Sequence, residues 1–253
     1  RALSPERWRT LMSFLSEQLG NGQFVVTAEI APPKGTDLSE ALAAVEKLTG
    51  ITAVNVTDNQ GANMRLSSLA LAARLQQQGT ETVLQLTCRD RNRIALQADL
   101  LGAHALGIRN LLCLTGDPVR AGDQTTVRPV NELESVRLLQ QVQDFNAGLD
   151  PVQGLLPDGP TDLFAGAAAD PQCPSWSGLR RRIARKQQAG ARFLQTQMVM
   201  DAECLKRFVG EITGPLGLPV LAGVFLLKSA KNAAFINRVV PGANIPQTII
   251  DRL

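Results

Sequence analysis

The sequence predicts an α/β protein, a (β/α)8 barrel of the TIM type, with an extra N-terminal helix and with the last βα unit missing from the residues given. Three observations carry that prediction. Residues 82–118 read as one strand, one helix and one strand: 82–88 is β-branched and alternating, 92–106 places Ile94, Leu96, Leu100, Leu101 and Leu106 at helical spacing, and 108–114 is apolar again. Units of this kind recur about every thirty residues, seven in all. Polar residues follow almost every strand, at Glu29, Thr57, Asp58, Gln85, Asp117, Asp170, Gln197 and Lys228, as they do where strand ends converge on one mouth. A doubly wound open sheet is the alternative, but no G-x-G-x-x-G follows the first strand and no Walker loop is present.

Each element has its own signal. Residues 5–19 put Trp8, Leu11, Met12, Leu15 and Leu19 on one helical face, so 1–22 reads as a helical extension of a single domain spanning 1–253. Strand one is 24–30, broken by Ala31-Pro32-Pro33-Lys34-Gly35, and its helix is 38–48. Strand two is 52–56; its helix, 66–78, stops at Gly79. Strands three and four belong to the unit at 82–118. A polar stretch, 119–130, leads to a helix at 132–146, and 148–160 is a loop. Strand five is 162–168, helix five 176–189, strand six 191–200 with a helix at 201–213, strand seven 219–227, and the last helix 228–239 before a short piece at 246–253. Seven units predict that the natural protein continues beyond Leu253 or that this end is disordered, and Arg1 in place of an initiator Met fits a fragment or a trimmed chain.

Composition narrows the function classes. The chain has 253 residues, 44% of them hydrophobic, which is ample for one large core. A formal charge of +3 gives no general bias toward nucleic acid or membranes. The basic run at 180–186 has no aromatic platform beside it, so no nucleic-acid partner is expected. No apolar run reaches the roughly 18 residues of a membrane span. Cys88, Cys113, Cys173 and Cys204 form no CxxC pair and read as reduced thiols, which points to the cytoplasm. No metal site is expected. His104, the only histidine, falls inside a helix and reads as scaffold.

Six strings then stand in order at the strand ends: VTAEIAPPKG, VNVTDNQGAN, LQLTCRDRNR, GIRNLLCLTGDP, ARKQQAGARFLQTQMVMD and LAGVFLLKSAKNA. Together they resemble the methylenetetrahydrofolate reductase family over nearly the whole chain. That resemblance implies a flavin-carrying barrel, an oxidoreductase that reduces 5,10-methylenetetrahydrofolate to 5-methyltetrahydrofolate. It implies FAD as cofactor, with FMN as the alternative, and a folate substrate. NAD(P)H, reduced ferredoxin or an electron-donating subunit would supply electrons, in a homo-oligomer or heteromer. The competing class is a non-catalytic folate- or flavin-binding barrel subunit of a larger one-carbon redox complex.

The candidate residues also have a chemistry of their own. Glu29, between Ala28 and Ile30-Ala31-Pro32-Pro33, is a poorly hydrated carboxyl whose pKa should rise, as a general acid requires. A structural carboxylate bonded to backbone amides is the alternative; the resemblance makes Glu29 the proton donor. Asp117 follows Gly116 in a turn where a missing side chain lets a flat ligand approach, and its charge suits a developing iminium cation. A plain turn aspartate is its alternative, while the resemblance gives it contact with both folate and flavin. Gln197 reads as a buried amide, bonded either across strands or, by the resemblance, to the pterin; Asn232 is the second folate contact implied. By the resemblance Thr57 and Gln85 fall on flavin-lining positions, and Asp58, Thr115, Gly116, Ala167 and Asp170, also at the ends of strands two to five, are the further cofactor contacts it implies. Arg185 and Lys186 resemble the family's flavin-phosphate contact. Departures are visible too: Gln85 stands where many members have His, Thr115 where they have Arg, and the chain has no Tyr, so the family's usual aromatic flavin contacts are absent.

Overall fold

Alternation between apolar and polar residues at 53–57 and 82–87 gives these strands one face for the helices and one for the site. The computed structural model describes residues 13–239 and 243–253, so the 5–12 part of the expected N-terminal helix lies outside the described residues. From α1 (Phe14–Gly20) the chain runs through β1 (Thr27–Ile30), α2 (Ser39–Glu46), β2 (Ala53–Val56), α3 (Ser68–Gln77), β3 (Thr82–Thr87), α4 (Arg93–Ala105), β4 (Asn110–Leu114) and α5 (Ser135–Asn146). It continues through β5 (Phe164–Ala169), α6 (Trp176–Gln188), β6 (Phe193–Met198), α7 (Ala202–Phe208), β7 (Val220–Gly223), α8 (Ala230–Val239) and α9 (Gln247–Ile250).

The seven strands form one sheet whose order follows the sequence from β1 to β7. Thr27 pairs with Ala53, Val54 with Thr82, and Val83 with Asn110, all in parallel. The winding therefore never reverses. This is the topology of a (β/α) barrel, not of a doubly wound sheet with its central switch point. Among the described residues the seven strands carry the expected TIM-type order.

The chain divides into two compact units, Arg1–Gly166 and Ala167–Leu253. In the first, Val54, Val56, Leu84, Leu86, Leu111 and Cys113 are wholly buried. They share the face on which the helices lie, with Leu71 and Leu75 of α3 and Leu96 and Leu100 of α4 equally buried. Asn55, Thr57, Gln85 and Thr87 occupy the intervening positions and so the opposite face. Helices start where the sequence supplies caps: Ser13 accepts from the Ser16 amide at α1, and Asn92 from the Ala95 amide at α4.

Three expectations are corrected. Within 148–160, Leu149–Asp150 pairs with Gly154–Leu155 in a small antiparallel hairpin. Strand seven ends at Gly223, not at 227. A Cβ there would sit 2.8 Å from the Thr196 carbonyl oxygen, the register shifts between Gln195 and Met198, and Val224 and Leu226 are 76% and 87% exposed. The helix expected over 201–213 is α-helical only to Phe208 and then widens into a π turn, Val209–Thr213.

Candidate active site

Glu29 lies one residue from the end of β1, in register with Asn55 of β2. The Gln85 side-chain amide on β3 donates to Glu29 Oε2 at 3.3 Å, and the Gln60 amide reaches Oε1 at 3.5 Å. A bond between strands separated by β2 can form only on the concave side of the sheet, so these side chains share the inner face. As a residue Glu29 is exposed, open to water along one side. Desolvation by the surrounding protein nevertheless raises its carboxyl pKa, and the Gln85 hydrogen bond partly offsets that rise.

Beside Glu29, the Asn55 amide is fixed by two bonds from Nδ2, to Thr27 Oγ1 at 3.1 Å and to the Ala28 carbonyl at 3.3 Å. Its Oδ1 is buried without a partner, and so is Oγ1 of Thr57, one step further along the same face. Asn55 and Thr57 are each 2% exposed. A buried polar atom of this kind calls for a partner, and at Thr57 it marks where a hydrogen-bonding ligand fits.

Asp117 is tied to the same loop from the other side. The Gly61 amide donates to its Oδ2 at 3.0 Å, so Gln60 and Gly61, adjacent in sequence, connect to Glu29 and Asp117 respectively. Among the described residues, Asp117 Oδ1 takes no hydrogen bond. Gly116 has φ +99°, and a Cβ on it would lie 2.8 Å from Arg89 Cβ. The space beneath this glycine is thus filled by the protein itself, not kept for a flat ligand. Arg89, 3% exposed, grips both oxygens of Asp90 at 2.7 and 2.6 Å and donates to the carbonyls of Asn59 and Asp117. Desolvation works against the Asp90 carboxylate, but the bonds from Arg89 and Asn59 and the charges of Arg89 and Arg91 outweigh it and lower its pKa.

Asp58 is 4% exposed and serves the scaffold. It accepts from the Thr87 amide and hydroxyl at 2.8 and 2.9 Å, from Ser68 at 3.3 Å, and from Arg91 through both oxygens at 2.6 and 3.1 Å. Neither oxygen is left for a cofactor. Thr115 is similarly engaged, accepting from the Ser135 amide at 3.2 Å at the start of α5. The rim is stitched further: Asp123 pairs with Lys34 and accepts from the Met64 amide, while a Cβ on Gly122 would fall 1.8 Å from the Ala62 carbonyl oxygen. His104 meets Asp162 at 2.9 Å on α4, as a scaffold histidine would.

In the second unit the candidates have local roles. Gln197 is exposed, which corrects its expected burial; the bulge between Gln195 and Met198 turns it out, and the buried orphan oxygen belongs to Gln195. Asn232 is used at the start of α8, its side chain accepting from the Lys228 amide while its backbone amide donates to the Ser229 hydroxyl oxygen. Lys186 reaches the Ala168 carbonyl at 2.7 Å, next to buried Ala167, and Arg185 is exposed beside it. Asp170 accepts from the Gln172 amide in a turn.

Sequence reasoning did not single out Asn55, Gln60, Arg89 or Arg91. Asn55 had a usable signal, since it is two residues before Thr57 and so on its face. Arg89-Asp90-Arg91 stood directly after a strand end. Gln60 had no signal beyond its neighbours.

A parallel sheet wound in sequence order, with acids and amides gathered on the concave face at its strand ends, defines a β/α barrel. The family model for methylenetetrahydrofolate reductase matches residues 15–253, and the chain belongs to that family. A Caenorhabditis elegans protein named probable methylenetetrahydrofolate reductase (NADPH) is 27% identical over all of this chain and 38% of its own length. The Arabidopsis thaliana methylenetetrahydrofolate reductase (NADH) 1 is 25% identical over 87% of this chain and 39% of its own. The chain thus spans well under half of these relatives. A solved Clostridium thermocellum protein described as binding two copies of 5-methyl-5,6,7,8-tetrahydrofolic acid superposes with TM-score 0.62 at 17% identity, over 95% of this chain and 79% of that one.

Proposed function

We propose that the chain reduces 5,10-methylenetetrahydrofolate to 5-methyltetrahydrofolate, with Glu29 as proton donor and Asp117 as electrostatic partner. The observation that carries this reading is the pairing of a carboxyl whose pKa burial raises with a second carboxylate, through adjacent residues of one loop. Family membership and the folate named for the Clostridium thermocellum protein support the substrate class.

Glu29 in its neutral form gives its proton to N10 of the substrate as the bond from N10 to the methylene carbon breaks, leaving a cationic iminium at N5. The charge of Asp117 favours that cation. A flavin held on this face would supply the hydride that the methylene carbon needs to become a methyl group. The concave face suits such a group: Thr57 Oγ1 is buried and unpartnered, and Gln85 presents an amide beside it. Thr57 and Gln85 would hold its ring edge, while Asp58 and Thr115 are committed to the scaffold. Relatives named for NADPH and for NADH leave NAD(P)H, reduced ferredoxin and a partner subunit as donors to compare.

The full-length protein should carry a flavin spectrum that one of these donors bleaches and methylenetetrahydrofolate restores. Glu29→Gln should abolish the restoring step and keep the bleaching. Normal restoration in that variant would remove Glu29 as the acid.

A further inference from the structure

We propose that Asn55 is a positioning residue for Glu29: its Oδ1 accepts the proton of the neutral carboxyl and holds it on the concave face until the substrate takes it. The inference rests on the reading of Glu29 as the acid and adds a residue that reading does not use.

A neutral carboxyl carries one O–H that must meet an acceptor. The two groups bonded to Glu29, the side-chain amides of Gln60 and Gln85, both act as donors. They satisfy the charged form, and neither offers an acceptor for the proton on the side of the carboxyl turned away from water. Asn55 is the register partner of Glu29 on the adjacent strand, about 5 Å away at the backbone and on the same face. Both of its Nδ2 bonds run toward Thr27 and Ala28, before Glu29 on β1, which fixes the amide plane and turns Oδ1 away from them. That oxygen is buried and has no donor. An orphan acceptor on the strand position paired with Glu29 is satisfied by the proton of the neutral carboxyl, and ionisation of Glu29 would leave it orphaned again.

Charged neighbours do not supply a rival explanation. Asp58 is paired with Arg91 and Asp90 with Arg89, and Asp117 bonds the Gly61 amide. The groups that act on the Glu29 carboxyl are the desolvating protein around it and Gln85.

The test is an infrared titration of the Glu29 carboxyl in the full-length protein, identified by its loss in Glu29→Gln. In the wild type the protonated carbonyl band should lie at the lower frequency of a hydrogen-bonded acid. In Asn55→Ala the band should move up, and the titration midpoint should fall by about one pH unit, a tenfold weaker hold on the proton. Asn55→Ser, which keeps an acceptor, should recover part of that shift. An unchanged midpoint in Asn55→Ala would overturn the proposal. If that variant does not fold, a wild-type band at the frequency of a free acid overturns it equally. Folate-driven turnover that survives Glu29→Gln removes the catalytic reading alone, because the infrared contact is measured without turnover.

Discussion

Glu29 and Gln85 are hydrogen-bonded at 3.3 Å although a whole strand, β2, separates theirs in the sheet. The bond is a chord across the concave face, and it opposes the effect of burial by stabilising the charged carboxylate. Gln85→Leu removes that donor. The Glu29 titration should then move to still higher pH, with the alkaline limb of the folate-driven step following it. A pH profile of that half-reaction checks the direction; a shift to lower pH would contradict it.

Glu29 also links stability to pH. Its folded pKa lies above the unfolded value, so the stability it contributes is fully present below the ordinary carboxylate range and is lost as pH rises through the raised folded value. Glu29→Gln cannot ionise. It should therefore be more stable than the wild type at alkaline pH and show no such gain in acid. Urea unfolding at both ends measures the difference, and an equal gain at each would count against desolvation as the cause.

Asp58 and Arg91 test a different economy. The carboxylate is almost wholly buried and the guanidinium largely so, with 2% and 17% of their side chains exposed. Asp58→Ala leaves Arg91 with Asp99, 2.8 Å away, as its remaining ion-pair partner and strands the buried Thr87 amide, so the cost should be about 1–3 kcal/mol, that of buried donors left unsatisfied. Chemical denaturation reads this directly.

Gly116→Ala should destabilise the chain by more than about 1 kcal/mol, since φ +99° and the contact with Arg89 both oppose a side chain. Arg89 bonds the Asp117 carbonyl, so the folate-driven rate should fall along with stability. A stable variant with full activity would show that the turn is more yielding than its packing implies.

The thiols divide by burial. Cys88 and Cys113 are fully buried, and desolvation pushes the Cys88 pKa up to about 12. A disulfide reagent added to the native protein should reach Cys173 and Cys204 only, with Cys88 and Cys113 reacting after unfolding.

Much of the fold was legible because the periods were clean. Val54, Val56, Leu84 and Leu86 alternate with polar residues, and that pattern alone separates the helix-facing side from the site-facing side. Glu29, Gln85 and Asp117 could be singled out from their places at strand ends. The role of Asp58 could not, because its partners Ser68, Thr87 and Arg91 come from three later segments, and a strand-end aspartate looks the same whether it faces a ligand or an arginine. Gln197 was misread as buried because a bulge reverses the alternation that periodicity assumes. The π turn at Val209–Thr213 escaped for a related reason: adding one residue to a turn leaves composition and apolar spacing almost unchanged.

The meeting of Gly122 with the Ala62 carbonyl, beside the Asp117 and Asp123 bonds to the Gly61 and Met64 amides, has an engineering consequence. The segments after β2 and β4 cannot be exchanged with those of another barrel one at a time, because each is cut to the other's outline. A transplant should carry both, and added length belongs at the exposed threonines Thr125 and Thr126, beyond the last of these stitches.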